Sequence, residues 1–188
     1  MNKVIENTIA EFDKVTTETK SLFGNLSTKQ LNWKPSAEKW SIAQCLDHLI
    51  VSNSTYYMQF EEVASGKHIN SFYQNIKFIS KFFGDYLIKE TGAVVAKPMQ
   101  SPTAFVPSQS EIAVSIVSDF EKHQQKFSAA IQQLEKIDLE KTIISSPALK
   151  IITYSLNDVL TILVGHEQRH LTQAKNVLKH ESFPNKLE

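Results

Sequence analysis

The sequence of 188 residues is poor in the residue types that build turn-rich or cross-linked folds. It contains five glycines, six prolines and one cysteine, Cys45. Few glycines and prolines favour long helices over an all-β fold with many turns. A lone cysteine excludes an intramolecular disulfide framework and suits a reducing cytosol. We therefore expect a helical, cytoplasmic protein.

The sequence also has no excess of charge and no long apolar run. Twenty Lys and Arg balance twenty Asp and Glu, which argues against nucleic-acid binding and against a polybasic membrane-surface protein. Residues 159–164 form the longest apolar stretch, but Thr161 interrupts it and it is too short to span a bilayer. The first ten residues carry Glu6 and do not resemble a secretory signal. We expect one soluble domain over residues 1–188.

Apolar residues instead recur at spacings of three and four along four long segments, which is the period of amphipathic helices. The first helix is predicted over residues 5–23, with a stop at Gly24. The second opens at Ser41, where Gln44 completes a capping box, and continues to near Gly66. Its apolar stripe consists of Ile42, Leu46, Leu49, Asn53, Tyr56, Phe60 and Val63.

Two further capping boxes predict the starts of the remaining long helices. The third helix is expected to open at residues 108–111, and the fourth opens at residues 155–158 and runs to about His180. Four long amphipathic helices predict an all-α fold, a four-helix bundle with a long crossover between the second and third helices.

The connections are less regular. The crossover, residues 67–107, is unusually long for a compact domain, and such connections are often functional. Its aromatic first half, residues 72–87, predicts one more short helix, and three prolines make the second half irregular. Residues 145–154 give a weak signal for a short extended segment.

The fourth helix carries histidines where apolar side chains are expected. His166 and His170 lie in the middle of its apolar stripe, four residues apart, so both rings can bind one ion. On the second helix, His48 lies beside the apolar stripe and can point towards the bundle axis. Three imidazoles leave open coordination positions, as in a catalytic metal site. Neutral imidazole suits Zn, Ni or Fe, so we expect a divalent metal ion.

Other side chains offer partners and alternatives to these ligands. Gln44 and Gln173 are candidates to hydrogen-bond and orient the histidine rings. His123 on the third helix is a substitute ligand, whereas His68 and His180 lie near helix ends and are expected to be exposed. The simpler alternative is that the three histidines are core residues, but clustered imidazoles need partners for all ring nitrogens, which an apolar stripe does not offer.

The string HEQRH at residues 166–170 matches the H-E-x-x-H motif of zinc proteases, with Glu167 as the general base. The match is weak, because Gln173 and Asn176 occupy the positions where a metzincin needs Gly and His. On a helix, Glu167 lies about 100° from His166. We therefore interpret the match as coincidence.

Two other residues close to the predicted ligands have two interpretations each. Cys45 lies about 60° from His48 on the second helix and could approach the metal, but a small buried hydrophobic residue is the favoured interpretation. Arg169, on a flank of the fourth helix, could reach an anionic substrate, and a solvated side chain is the favoured interpretation.

Several segments, taken in their order and spacing, resemble the DinB-like superfamily of damage-inducible four-helix bundle proteins. The segments are WSIAQ at residues 40–44, DHL at 47–49 and HEQRHLTQA at 166–174. Residues 97–110 and the late pair at 183–184 are similar to one branch of it. The resemblance covers nearly the whole chain.

The resemblance implies a metal ion held by His48 of the second helix and by His166 and His170 of the fourth. It implies a homodimer in many members and does not imply DNA binding. Some members are S-transferases that use bacillithiol, mycothiol or similar low-molecular-weight thiols, and a few are described as metal-dependent hydrolases. The leading hypothesis is a metal-dependent thiol S-transferase acting on a small-molecule substrate. The alternatives are a metal-dependent hydrolase and a non-catalytic metal- or ligand-binding stress-response protein.

Overall fold

The computed structural model describes residues 2–69, 107 and 111–184. The helices are α1 (Lys3–Phe23), α2 (Thr28–Asn32), α3 (Ile42–Ser54), α4 (Tyr57–Ala64), α5 (Ile116–Gln132) and α6 (Leu156–Leu178). Strands β1 (Ile143–Ser145) and β2 (Thr153–Ser155) form an antiparallel hairpin, in which Ile144 pairs with Tyr154.

The long helices pack as a bundle. Helix α1 packs against α5 and α6, and α3 packs against the same two helices. The four-helix arrangement predicted from the apolar periodicity is therefore confirmed, with a small β-hairpin added before α6. Among the helices of the described residues, none combines the length and the hydropathy that crossing a bilayer requires.

Capping boxes fix where α3 and α6 begin. The Oγ of Ser41 accepts the backbone N–H of Gln44 at 3.1 Å, and the Oε1 of Gln44 accepts that of Ser41 at 3.1 Å. Ser155 and Asp158 make the same reciprocal pair at the start of α6. Each box satisfies two N–H groups that a helix start leaves free. Both predicted starts are confirmed, and α1 is capped by Gly24 as predicted.

The second predicted helix is not continuous, since α3 and α4 are separate. The backbone N–H of Thr55 donates to the carbonyl of Ser52 at 3.3 Å, and that of Tyr56 donates to Asn53 at 3.0 Å. These bonds reach three residues back instead of four, which tightens the turn. The phenol oxygen of Tyr56 lies 3.0 Å from that of Tyr154, so the break contacts the β-hairpin.

The predicted start of the third helix at residues 108–111 is wrong. Helix α5 begins at Ile116, and residues 111–113 are not helical. The side chain of Asn32 holds this segment, because its Nδ2 donates to the carbonyl of Ile112 at 2.8 Å and its Oδ1 accepts the Ile112 N–H at 2.9 Å. The N–H and the carbonyl of Ile112 are therefore hydrogen-bonded to Asn32 instead of to a helix.

The predicted crossover over residues 67–107 and the short helix predicted over residues 72–87 lie outside the described residues, apart from residues 67–69 and 107. Helix α4 ends before Gly66, whose φ of 70° is in the left-handed region that favours glycine. The weak extended signal of residues 145–154 corresponds to the hairpin, whose strands meet the two ends of that segment.

Two apolar clusters fill the bundle. One includes Phe127 of α5 and Leu160 of α6 together with hairpin residues, and the other includes Phe120 of α5 and Leu171 of α6. Helices α3, α5 and α6 also bury polar side chains, among them His48, Ser52, Asn53, Gln124, Glu167 and His170, and the half-buried His166 contacts His48. The bundle therefore contains a polar layer, and its members must find partners inside the protein.

Candidate metal centre

The three histidines predicted as metal ligands come together in the polar layer. His48 projects from α3, and His166 and His170 project from α6 one turn apart. One ring nitrogen from each lies within 4.8 Å of the others, and the Nε2 atoms of His48 and His166 are 3.0 Å apart. The ring centroids are 4.6 to 5.0 Å apart in edge-on pairs. Two helices distant in sequence thus bring three imidazoles to one point.

The three rings are shielded from water to different degrees, and burial favours the neutral form of His166 and His170. His48 is 4% exposed and His170 is 6% exposed. Burial, with the nearby His48 and Arg169, lowers the pKa of His166 to about 3. Burial, with the two neighbouring imidazoles, holds the pKa of His170 well below its usual range. Since neutral imidazole has a free lone pair, the environment favours the form that binds a cation.

A hydrogen bond indicates which ring nitrogen of His170 carries the proton. Its Nδ1 lies 3.1 Å from the Oε1 of Gln173. An amide oxygen only accepts, so Nδ1 carries the proton and Nε2 keeps its lone pair. The Oε1 of Gln44 accepts the backbone N–H of Ser41 in the capping box of α3. The roles of Gln44 and Gln173 in orienting metal ligands stay predictions.

The nitrogen separation between His48 and His166 fits a divalent ion. Zn–N bonds of about 2.0–2.1 Å place two tetrahedral nitrogen ligands ~3.3 Å apart. The observed 3.0 Å between the Nε2 atoms of His48 and His166 is close to that value. Two facing lone pairs at this distance repel each other unless a proton or a cation lies between them. A donor set of three neutral imidazoles leaves room for water or substrate on the ion.

Trp40 packs on two of the three histidine rings. Its ring lies 5.5 Å from that of His170 at an angle of 18°, and 4.9 Å from that of His48. Trp40 directly precedes Ser41, the N-cap of α3, so the start of this helix fixes the indole over the cluster. No role at the site was predicted for Trp40 from the sequence. The sequence signal that could have indicated a role is that the large aromatic Trp40 precedes the candidate ligand His48 by eight residues, about two helical turns.

Glu167 is not one of the side chains of the histidine cluster. The side chain is 0% exposed, and its carboxylate accepts an amide N–H from Asn53 of α3 at 2.7 Å and one from Gln124 of α5 at 2.8 Å. Burial raises the pKa of Glu167 to about 8, against the opposing effect of the two amide donors. This orientation does not suit the general base of an H-E-x-x-H protease.

Comparisons with known proteins agree with this architecture. The sequence matches the profile of the DinB superfamily over residues 11–174. The chain belongs to this superfamily. The protein YuaE of Bacillus subtilis strain 168 is 26% identical over 171 residues, which cover 88% of this chain and 94% of YuaE.

A solved structure supports the fold of this DinB-superfamily protein. YfiT from Bacillus subtilis is described as "a probable metal-dependent hydrolase with an unusual four-helix bundle topology". The two structures superpose with a TM-score of 0.56 and 15% identity, covering 94% of this chain and 87% of YfiT. At this level of identity the likeness shows a shared fold.

The other described histidines of this DinB-superfamily protein lie outside the cluster. His123, the substitute ligand, has its Nδ1 3.5 Å from the phenol oxygen of Tyr57, and burial lowers its pKa to about 4. His68 was expected to be exposed but is half-buried, since its Nε2 lies 2.9 Å from the carbonyl of Ile143. His180 is exposed, as predicted.

Cys45 lies in the apolar cluster around Leu46 and Leu49 and is 0% exposed. Burial raises the pKa of its thiol far above the usual value. A thiol that stays protonated is a poor metal ligand and a poor nucleophile. Among the described residues, the metal-type cluster contains His48, His166 and His170 without Cys45, which agrees with its interpretation as a small hydrophobic residue.

Proposed function

We propose that this protein is a metal-dependent enzyme in which His48, His166 and His170 hold a divalent ion, and that it transfers a small thiol to an electrophile. The convergence of three imidazoles from two helices carries the proposal. Within the described part of the chain, no fourth His, Cys, Asp or Glu joins this cluster. An ion held by these three residues would keep positions for an exogenous ligand and would lower the pKa of a bound thiol or water.

The surrounding residues favour a thiol. Imidazole binds a metal ion as the neutral ring, so three histidine ligands would leave the charge of the ion available to an anionic sulfur. The carboxylate of Glu167 is engaged by Asn53 and Gln124, so it is not aimed at a substrate on the ion. A thiol can lose its proton to solvent and does not require such a base. The sulfur then bonds to the electrophilic atom, and the leaving group departs with its electron pair.

Trp40 contributes to the site by covering the rings of His48 and His170. A large apolar ring at this position excludes water from one side of the cluster, which strengthens electrostatic interactions there. The indole therefore limits the direction from which a substrate can approach the three histidines.

Hydrolysis is the second candidate, because the structurally similar YfiT is described as "a probable metal-dependent hydrolase". The same three histidines would serve either reaction, since a divalent ion also lowers the pKa of water. The two candidates differ in the nucleophile, and a direct assay separates them.

The test is turnover by metal-free protein and by protein loaded with Zn²⁺, Ni²⁺ or Fe²⁺. A panel of cysteine, glutathione and bacillithiol is offered with 1-chloro-2,4-dinitrobenzene, and a parallel panel contains esters and amides. We expect metal-dependent transfer with at least one thiol, loss of it in His48→Ala, and retention in His180→Ala. Turnover restricted to esters or amides would establish the hydrolase, and metal binding without turnover in either panel would favour the non-catalytic alternative.

We further propose, from the family resemblance, that the protein works as a cytoplasmic homodimer. Light scattering of the full chain at micromolar concentration measures its mass directly, and a monomer would contradict the proposal.

A further inference from the structure

We propose that Glu167 is a positioning residue that sets the rotation of α6, so that His166 and His170 face His48. The inference rests on the proposed metal site. In this role Glu167 neither binds the metal nor transfers a proton. It acts through its directional hydrogen bonds to Asn53 and Gln124.

The contacts of Glu167 join the two helices that carry the ligands. Its carboxylate accepts the Nδ2–H of Asn53 at 2.7 Å, and Asn53 follows His48 by five residues on α3. On α6, Glu167 is the immediate neighbour of His166. The second carboxylate oxygen accepts the Nε2–H of Gln124 on α5 at 2.8 Å. The side chain is thereby held from two helices at once.

The geometry of a helix makes this contact matter for a metal site. Helical Cα atoms lie about 2.3 Å from the axis, so a histidine ring nitrogen lies ~7 Å from it, and a rotation of ~10° moves that nitrogen by about 1 Å. Metal–ligand distances tolerate about 0.2 Å. Apolar packing resists such a rotation less sharply than two short hydrogen bonds to a carboxylate, because hydrogen bonds are directional.

The arrangement is not the one that stability alone would favour. Asn53 Oδ1 and Gln124 Oε1 are buried and have no hydrogen-bond partner within the described part of the chain. A buried carboxyl and two half-satisfied amides are costly compared with apolar residues of the same shape. Buried polar groups of this kind are known to fix one register among several packings. We infer that they fix the register of α6 against α3.

The test uses Co²⁺ as the probe, because its visible absorption reports coordination geometry. Glu167→Leu removes both hydrogen bonds, and Glu167→Gln keeps a group of the same shape that can accept from one amide and donate to the other. We expect Glu167→Leu to weaken Co²⁺ binding at least 10-fold, as for other outer-shell partners, and to change the absorption bands. Glu167→Gln is expected to retain the wild-type spectrum with binding within about threefold.

The matched control is Leu160→Ala, which opens the apolar cluster on the same helix and lowers stability while every residue of the polar layer stays unchanged. It is expected to leave the Co²⁺ spectrum unchanged. The inference is overturned if Glu167→Leu binds Co²⁺ with wild-type affinity and spectrum, or if Leu160→Ala alters the spectrum equally.

A second pair of variants decides the question if Glu167→Leu does not fold. Asn53→Leu cuts the link to α3, which carries His48, and Gln124→Leu cuts the link to α5, which carries no ligand. We expect the larger spectral change in Asn53→Leu. The positioning role would be refuted if the spectral changes of the two variants were equal, or if they depended only on how far each variant lowers the unfolding midpoint. If the wild-type protein takes up no Co²⁺, both the proposed metal site and this inference are wrong. If the wild type binds Co²⁺ and the variants have the same affinity and spectrum, only this inference is refuted.

Discussion

The Nε2 atoms of His48 and His166 lie 3.0 Å apart although 118 residues separate them in the chain. The fold thus places the buried ring of His48 and the half-buried ring of His166 with these two nitrogens face to face. A proton or a cation between the two nitrogens removes the repulsion between their lone pairs. The ring of His170 adds a third nitrogen to this donor set.

This arrangement predicts that metal stabilises the folded protein. An ion that binds only the folded state at 100 times its Kd stabilises by about 2.7 kcal/mol. We expect Zn²⁺ to raise the unfolding midpoint of the wild type, and His48→Ala, His166→Ala and His170→Ala each to lose most of that rise. Thermal unfolding and metal analysis measure both quantities. His180→Ala is the control, and an equal Zn²⁺ effect in all four variants would contradict the site.

The position of Trp40 predicts that metal binding changes its fluorescence. Its ring lies 4.9 Å from that of His48, and the chain has two tryptophans, so Trp33→Phe leaves Trp40 as the sole indole. We expect Co²⁺ or Ni²⁺, whose partly filled d shells accept excitation energy at short range, to quench its emission strongly. Zn²⁺, a d¹⁰ ion, is expected to quench little. Trp40→Phe serves as the control, and equal quenching of the remaining Trp33 would contradict the assigned position.

The helices were predictable because their signals are local. The capping boxes at Ser41 and Ser155 and the 3.6-residue period act within one or two turns. The errors arose where a distant side chain sets a boundary. The break after α3 contacts Tyr154 of the hairpin, and the late start of α5 depends on Asn32, which binds the backbone of Ile112. No local pattern contains these contacts.

The site was predictable in part for a related reason. A histidine in an apolar stripe is conspicuous, so His48, His166 and His170 could be proposed from spacing, although not their contact across two helices. Glu167 was assigned to a flank 100° away, but α6 is packed on more than one side and that flank is buried. Its partner Asn53 already stood out as the one amide in the apolar stripe of the second helix.

Gln173 offers a test of ligand orientation. Its Oε1 lies 3.1 Å from Nδ1 of His170, and we expect this contact to orient the ring with Nε2 towards the cluster. We expect Gln173→Ala to weaken Zn²⁺ binding by about 10-fold or more with a small effect on metal-free stability, because Gln173 is only partly buried. Competition with a chromogenic chelator measures the Kd. Gln168→Ala is the matched control on α6, since Gln168 binds Glu11 of α1 instead, and an equal loss of affinity in both variants would contradict the prediction.

The pH dependence of the metal-free protein follows from two opposing sets of buried groups. Burial lowers the pKa of His166 to about 3 and that of His123 to about 4, and lowers that of His170. The unfolded chain, with histidine pKa values of about 6.5, therefore binds more protons than the folded chain below that pH. Stability is lost as pH falls below about 6.5, by up to about 1.4 kcal/mol per pH unit for each group.

Glu167 acts in the opposite direction. Burial raises its pKa from 4.5 to about 8, so the folded chain binds the extra proton in that window and stability falls as pH rises through it. Below about pH 6.5 the effect of the three histidines on the unfolding free energy is larger than that of the one carboxyl. Above this pH only Glu167, among these groups, still changes the unfolding free energy. We therefore expect the unfolding free energy of chelator-treated protein, measured in urea, to peak near pH 6.5. Glu167→Gln should abolish the decline between pH 6.5 and 8 while keeping the acid limb, and a wild-type stability that still rises at pH 7.5 would contradict the assignment.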